Sequence, residues 1–172
     1  LDPYGDMEFE EAVDLFAEMV IAGANAGADF IIIETMSDLE ELKAAVTAAK
    51  ENSSLPVWTT MTFEKNGRTF MGVSVEQMAQ GMNEMEVDAM GFNCSVGPED
   101  LIPFVRQLRQ LSDRPIILKP NAGLPDTATG LYNVTPADFA GSMKKGIEEG
   151  TMIIGGCCGT DPEYISELCK LR

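Results

Sequence analysis

The chain has 172 residues, 45% of them apolar and 23% charged, with 28 acidic side chains against 12 basic ones and a net charge of −16. Such a composition is that of a soluble α/β or α domain, and its acidity argues against nucleic acid or a membrane surface as partner. There is no histidine, which excludes Ser-His triads, Cys-His pairs and His-ligated metals. No apolar run is long enough for a membrane span, no signal-peptide pattern opens the chain, and a chain this size does not need a disulfide framework among its four cysteines for stability. A reduced, cytoplasmic protein is the simplest expectation.

In chain order, Glu8 to Gly23 sets Phe9, Ala12, Val13, Phe16, Met19 and Val20 on one helical stripe. The run Phe30-Ile31-Ile32-Ile33 then ends in Glu34-Thr35. A helix follows, for which Ser37 with Glu40 has the spacing of a capping box, and then the strand-like run Val57 to Phe63. Lys65 to Arg68 reads as a tip, and Ser74 with Gln77 opens the next helix. After Ala89-Met90-Gly91-Phe92, Pro98 takes a first helical position, with Leu101, Val105, Leu108 and Leu111 as the apolar stripe. The run Ile116-Ile117-Leu118 leads into the irregular stretch Asn121 to Thr135, read as a functional loop, and Pro136 starts another helix. Met152-Ile153-Ile154 is the fifth strand, and a helix near Asp161 to Leu171 closes the chain. The acidic run Asp6 to Glu18 reads as a solvated helix face.

None of the apolar runs alternates cleanly, as expected of parallel strands buried on both faces. Strand starts recur about every 28 to 36 residues, the rhythm of βα units. Two architectures fit. One is a (β/α)8 barrel, of which five units are present; the other is an open doubly wound sheet, although no glycine-rich phosphate turn follows the first strand.

In either fold, ligands gather beyond the carboxyl ends of the strands. Those ends carry Glu34-Thr35, Thr62-Phe63, Asn93-Cys94-Ser95, Lys119-Pro120-Asn121 and Gly155-Gly156-Cys157-Cys158-Gly159. Cys94, Cys157 and Cys158 thus share one rim, whereas Cys169 reads as a buried small residue. Three thiols without histidine point to a soft-ligand metal site, with zinc as the favoured ion. Adjacent cysteines on a regular strand face opposite ways, so the flanking glycines are expected to kink the backbone. Three protein ligands leave a position open, as in a catalytic zinc site. The alternatives are that all three are buried core cysteines, or that the chain is a non-catalytic fragment that binds zinc or merely folds with Cys94, Cys157 and Cys158 left as thiols.

Gly91-Phe92-Asn93-Cys94-Ser95 and Gly155-Gly156-Cys157-Cys158-Gly159-Thr160-Asp161-Pro162 resemble the two zinc motifs of the homocysteine S-methyltransferase family. Met61-Thr62-Phe63, Gly67-Arg68-Thr69 and Lys119-Pro120-Asn121-Ala122-Gly123 extend the resemblance over nearly the whole chain, and to the cobalamin-dependent branch more than the betaine-dependent one. The resemblance implies a partial (β/α)8 TIM barrel, strands four to eight with their helices. Residues 1–172 would be its carboxyl-terminal portion, with amino-terminal strands one to three absent, and the start at Leu1 reads as that of an excised piece. It implies methyl transfer to the thiol of homocysteine to give methionine, at zinc held by Cys94, Cys157 and Cys158. Methylcobalamin on a separate module is the implied donor; betaine, S-methylmethionine or a selenocysteine-type acceptor are the alternatives. Glu34 would take the substrate ammonium group, Asn121 would serve as a ligand when substrate is absent, and Asn93 would brace the cysteine loop. The implied partners are homocysteine, the missing barrel half and folate or cobalamin modules. Unpaired edges also predict self-association.

Overall fold

A computed structural model describes residues 1–171. The order is α1 (Phe9–Asn25), β1 (Ile31–Met36), α2 (Leu39–Asn52), β2 (Val57–Met61), α3 (Val75–Glu84), β3 (Ala89–Asn93), α4 (Pro98–Leu111), β4 (Ile116–Lys119), α5 (Pro136–Glu148), β5 (Thr151–Ile154) and α6 (Pro162–Cys169). All five strands are parallel, and their spatial order is their chain order, β1-β2-β3-β4-β5. A doubly wound sheet must reverse direction at a switch point. Here every crossover steps the same way, and because such crossovers are right-handed as a rule, the helices fall on one side of a curling sheet and leave the other side concave. This is barrel topology, and the open-sheet alternative is excluded.

Local signals account for most helix starts. Ser74 and Gln77 form the expected capping box, Thr135 caps α5, and Pro98, Pro136 and Pro162 occupy first-turn positions. The start of α2 lies one residue beyond the expectation: Asp38, not Ser37, is the cap, its carboxylate accepting from the Glu41 N–H at 2.9 Å. A charged acceptor makes the stronger cap bond and suits the positive helix end.

The core lies between the sheet and the helices. Phe63, Phe92, Phe139, Met61, Met78, Met82 and Met90 are wholly buried there. The rings of Phe63 and Phe92 meet edge-on at 5.3 Å, with Phe104 beside both. Burial on both faces, expected of every strand, holds for β2, β3 and β4 but not for β1 and β5. Among the described residues each flanking strand lacks a partner on its outer side, and with it the layer that would cover its side chains.

Leu111, expected on the apolar stripe of α4, is exposed at the last position of that helix. Openness at the flanks explains two further departures. Met19, expected on the core stripe of α1, is 75% exposed. Cys169, expected in the core, is exposed on α6, the last helix over the open β5 edge. The acidic residues from Asp6 to Glu18 face solvent as anticipated. Among the described residues no helix is long and apolar enough to cross a membrane.

Candidate metal and thiol site

The carboxyl ends of the strands converge as parallel pairing requires. Asn93 is in register with Lys119, and Leu118 with Ile154. Residues paired this way project to the same side of a sheet, so Asn93, Lys119 and the chain beyond β5 share the concave rim. The loop after β3 is clamped to β4 by Cys94 N–H on the Lys119 carbonyl at 3.0 Å, and the loop after β5 by Cys157 N–H on the Pro120 carbonyl at 2.9 Å.

These clamps bring together three sulfurs from two segments far apart in the chain. The Sγ atoms of Cys94, Cys157 and Cys158 all lie within 4.8 Å of one another, with Cys94 and Cys158 at 3.6 Å. Two sulfurs about 2.3 Å from one tetrahedral ion sit about 3.8 Å apart, so the observed spacing fits a shared metal. The cluster is half-exposed, and three donors leave one direction free. The vicinal cysteines reach one point because both lie in the turn beyond β5, not on the strand. Gly156 and Gly159 make that turn possible: a Cβ on Gly156 would lie 2.4 Å from Thr160 Oγ1, and one on Gly159 would lie 2.3 Å from the Tyr132 ring. Gly159 also has φ +79, a left-handed conformation.

Strain accumulates at this rim. Thr35, Cys94 and Ser95 all have positive φ, at 67, 62 and 63°. That region is costly for side chains with a Cβ, and most of all for a β-branched threonine. Asn93, wholly buried, holds the strained segments in place. Its Oδ1 accepts from Thr35 N–H at 2.9 Å and Thr60 Oγ1 at 2.7 Å, while its Nδ2 donates to Thr35 Oγ1 at 2.7 Å and approaches Cys157 Sγ at 3.9 Å. Thr62 Oγ1 donates to the Asn93 carbonyl at 2.9 Å. Asn93 thus ties the ends of β1 and β2 together, through partners that the sequence does not reveal, and reaches the cysteine loop only by its approach to Cys157.

Asn121 is also buried at the rim, and its Oδ1 accepts the Cys158 N–H at 3.0 Å. One lone pair of that oxygen remains for a further partner. Glu34 stands at the rim as expected, but it is half-exposed and paired: Lys119 donates to its carboxylate across the two intervening strands. Lys119 belongs to a strand end that the sequence marks, yet nothing local in the sequence names its partner. Tyr132 was not anticipated at all. The loop from Asn121 to Thr135 folds back, setting Pro125 opposite Tyr132 in an isolated antiparallel bridge beside the Asp126 N–H bond to the Leu131 carbonyl at 2.9 Å, and lays the Tyr132 ring on Gly159.

The electrostatics are those of crowded sulfurs. Burial, then the contact with Cys94, pushes the Cys157 thiol up to about 11. Burial and the neighbouring cysteine charges also raise the Tyr132 phenol. A thiol so disfavoured as an anion calls for a compensating cation when it ionises.

The methionine synthase of Mycobacterium leprae is 32% identical over 98% of this chain, which spans 15% of that protein's length. The homocysteine methyltransferase MmuM of Escherichia coli superposes in its apo form with TM-score 0.79, at 21% identity, over 97% of this chain and 58% of its own. Its metallated form superposes with TM-score 0.76, at 23% identity, over 93% and 52%. At such identities the likeness to the solved structures is one of fold. The homocysteine S-methyltransferase family model matches residues 1–172, and the chain belongs to that family.

Proposed function

We propose that this chain is the thiol-activating part of a homocysteine S-methyltransferase, and that Cys94, Cys157 and Cys158 hold a zinc ion. The observation that carries this reading is the meeting of three sulfurs within 4.8 Å at the carboxyl rim of a parallel sheet. The donor set fits zinc: three soft thiolates, no histidine and a free fourth direction. When bound, the ion supplies Lewis acidity that takes a thiol in the free position to its thiolate near neutral pH. The reaction forms a bond from the homocysteine sulfur to a methyl carbon and breaks the bond between that carbon and its donor, yielding methionine.

The chain's own residues prepare that event. Asn93 keeps Cys157 and the strained Thr35 segment in fixed relation, and Asn121 orders the Cys158 turn while its spare lone pair serves as a fourth donor when substrate is absent. Glu34 receives the substrate ammonium group. The Tyr132 ring lies over Gly159 and borders the cysteine turn.

We further propose that β1 to β5 correspond to strands four to eight of a complete (β/α)8 barrel, with residues 1–172 as its carboxyl-terminal portion. The share of MmuM covered, 58%, supports this. So do the apolar side chains left bare along both flanks, among them Phe30, Met19, Met152 and Ile165. The remaining strands cover those flanks in the whole protein, which acts in the cytoplasm with methylcobalamin, carried on a separate module, as methyl donor. Expressed alone, the piece self-associates. Light scattering at micromolar concentration is expected to show oligomers, and a clean monomer would count against this.

The deciding experiment is zinc content before and after thiol alkylation, followed by methyl-transfer assays on the longer protein with methylcobalamin, betaine and S-methylmethionine. One zinc per chain, lost on alkylation, with methionine formed from methylcobalamin and homocysteine, is the expected result. Absence of zinc in the untreated protein would refute the reading.

A further inference from the structure

The ion pair between Lys119 and Glu34 is unlike the other ion pairs among the described residues. It joins the ends of β4 and β1 across two intervening strands, on the concave side of the sheet where Asn93 also points. Its side chains are 25% and 43% exposed, Lys119 and Glu34 respectively. An ion pair this wet contributes little to stability, and breaking it costs correspondingly little. Both ends are nonetheless held firmly. Glu34 precedes the strained Thr35, which Asn93 ties down by two hydrogen bonds, and the Lys119 stem runs beside Gly155, where a Cβ would stand 3.2 Å from Lys119 Cγ. The backbone carbonyl of Lys119 also anchors the Cys94 loop. A carboxylate and an ammonium are thus fixed side by side at the same rim as the sulfurs, free to exchange partners.

We infer that Lys119 and Glu34 together form a receptor for an amino-acid zwitterion, in which Lys119 binds the α-carboxylate while Glu34 binds the α-ammonium group of the thiol substrate. This rests on the thiol-acceptor reading above and adds Lys119 to it as a specificity-determining residue. An α-amino acid carries its two opposite charges on one carbon, so it can enter between the two side chains and replace each by its own complement. The charge count is unchanged: one ion pair becomes two, and no charge is left unpaired. A thiol with only one of the two groups leaves either Lys119 or Glu34 without its new partner. The pair also acts as a latch, since Lys119 competes with any lone amine for Glu34.

Calorimetric titration of the zinc-loaded protein with three thiols tests this: homocysteine, 3-aminopropane-1-thiol, which lacks the carboxylate, and 4-sulfanylbutanoate, which lacks the amine. The native chain is expected to favour homocysteine over either analogue by about 10- to 100-fold, the range of a hydrogen bond to a charged group. Lys119→Met should weaken homocysteine to the level of the aminothiol, while the aminothiol binds as well as before or better, and Lys119→Arg should restore the preference. Glu34→Gln should weaken homocysteine and spare 4-sulfanylbutanoate. Equal weakening of homocysteine and aminothiol by Lys119→Met, or an unchanged preference, would overturn the inference while leaving thiol binding intact. If the native protein binds none of the three thiols, the thiol-acceptor reading itself fails, and this inference with it.

Discussion

The three central strands and the two flanking ones are made of similar residues but live in different surroundings. Met90 on β3 is wholly buried, whereas Met152 on β5 is 69% exposed; Ile116 and Ile117 on β4 are wholly buried, whereas Ile31 to Ile33 on β1 are only half-covered. Side-chain chemistry does not separate them. What differs is whether a strand has a neighbour on each side and a layer on each face. The site draws on both regions: Asn93 and Cys94 come from the closed centre, Glu34 and the Cys157-Cys158 turn from the open flanks.

The sharpest way to break this contrast is to hollow out the centre. Phe92→Ala is expected to cost about 3–5 kcal/mol, because its ring is wholly buried against Phe63 and Phe104. Denaturant unfolding measures it, and a cost under about 1 kcal/mol would mean that the centre is loosely packed. Next in size, Cys157→Ser should weaken zinc binding by more than about 100-fold, beyond the usual loss for a residue that only supports a ligand. Competition with a chelator of known affinity reads this out, and retained stoichiometric zinc would exclude Cys157 as a ligand. Asn93→Ala follows, at about 10- to 100-fold in zinc affinity, since it frees Thr35 and removes the neighbour of Cys157 without touching a sulfur donor.

A pH effect sharpens the comparison at the flank. In the metal-free protein Cys157 is raised from its ordinary value of 9.0 to about 11. The native state therefore keeps a proton that the unfolded chain has released, so stability is full below about pH 9 and is lost as the pH rises toward 11. Unfolding midpoints across that window should fall for the native sequence and stay flatter for Cys157→Ser. Zinc loading near neutral pH should release protons, detectable in a weakly buffered dye assay. Smallest of all, Met152→Ala and Met19→Ala should change stability by less than about 0.5 kcal/mol, because both side chains are already in water. A larger loss would show that those flanks are covered in solution.

Much of the site was legible residue by residue. Cys94 and the glycine-framed Cys157-Cys158 pair mark themselves through the rule that ligands gather beyond parallel strands, and the absence of histidine narrows the metal chemistry. Asn93 could be read as a brace because it abuts Cys94. Its bonds to Thr35 and Thr60, the ion pair of Glu34 with Lys119, and the ring of Tyr132 on Gly159 could not be read, since each joins segments at least 27 residues apart. The Ser37 expectation missed by one residue for a local reason: Asp38 offers the same geometry with a full charge.

Periodicity and start signals along the chain determined the alternation of helices and parallel strands, and the cysteine motifs determined where chemistry would collect, because both are written in residues near one another. Whether the strands curl in one direction or reverse, which of them stay bare, and which charge meets Glu34 were decided only by tertiary structure. Those outcomes depend on the register of distant strands and on what covers each face, and neither is a property of any local stretch of sequence.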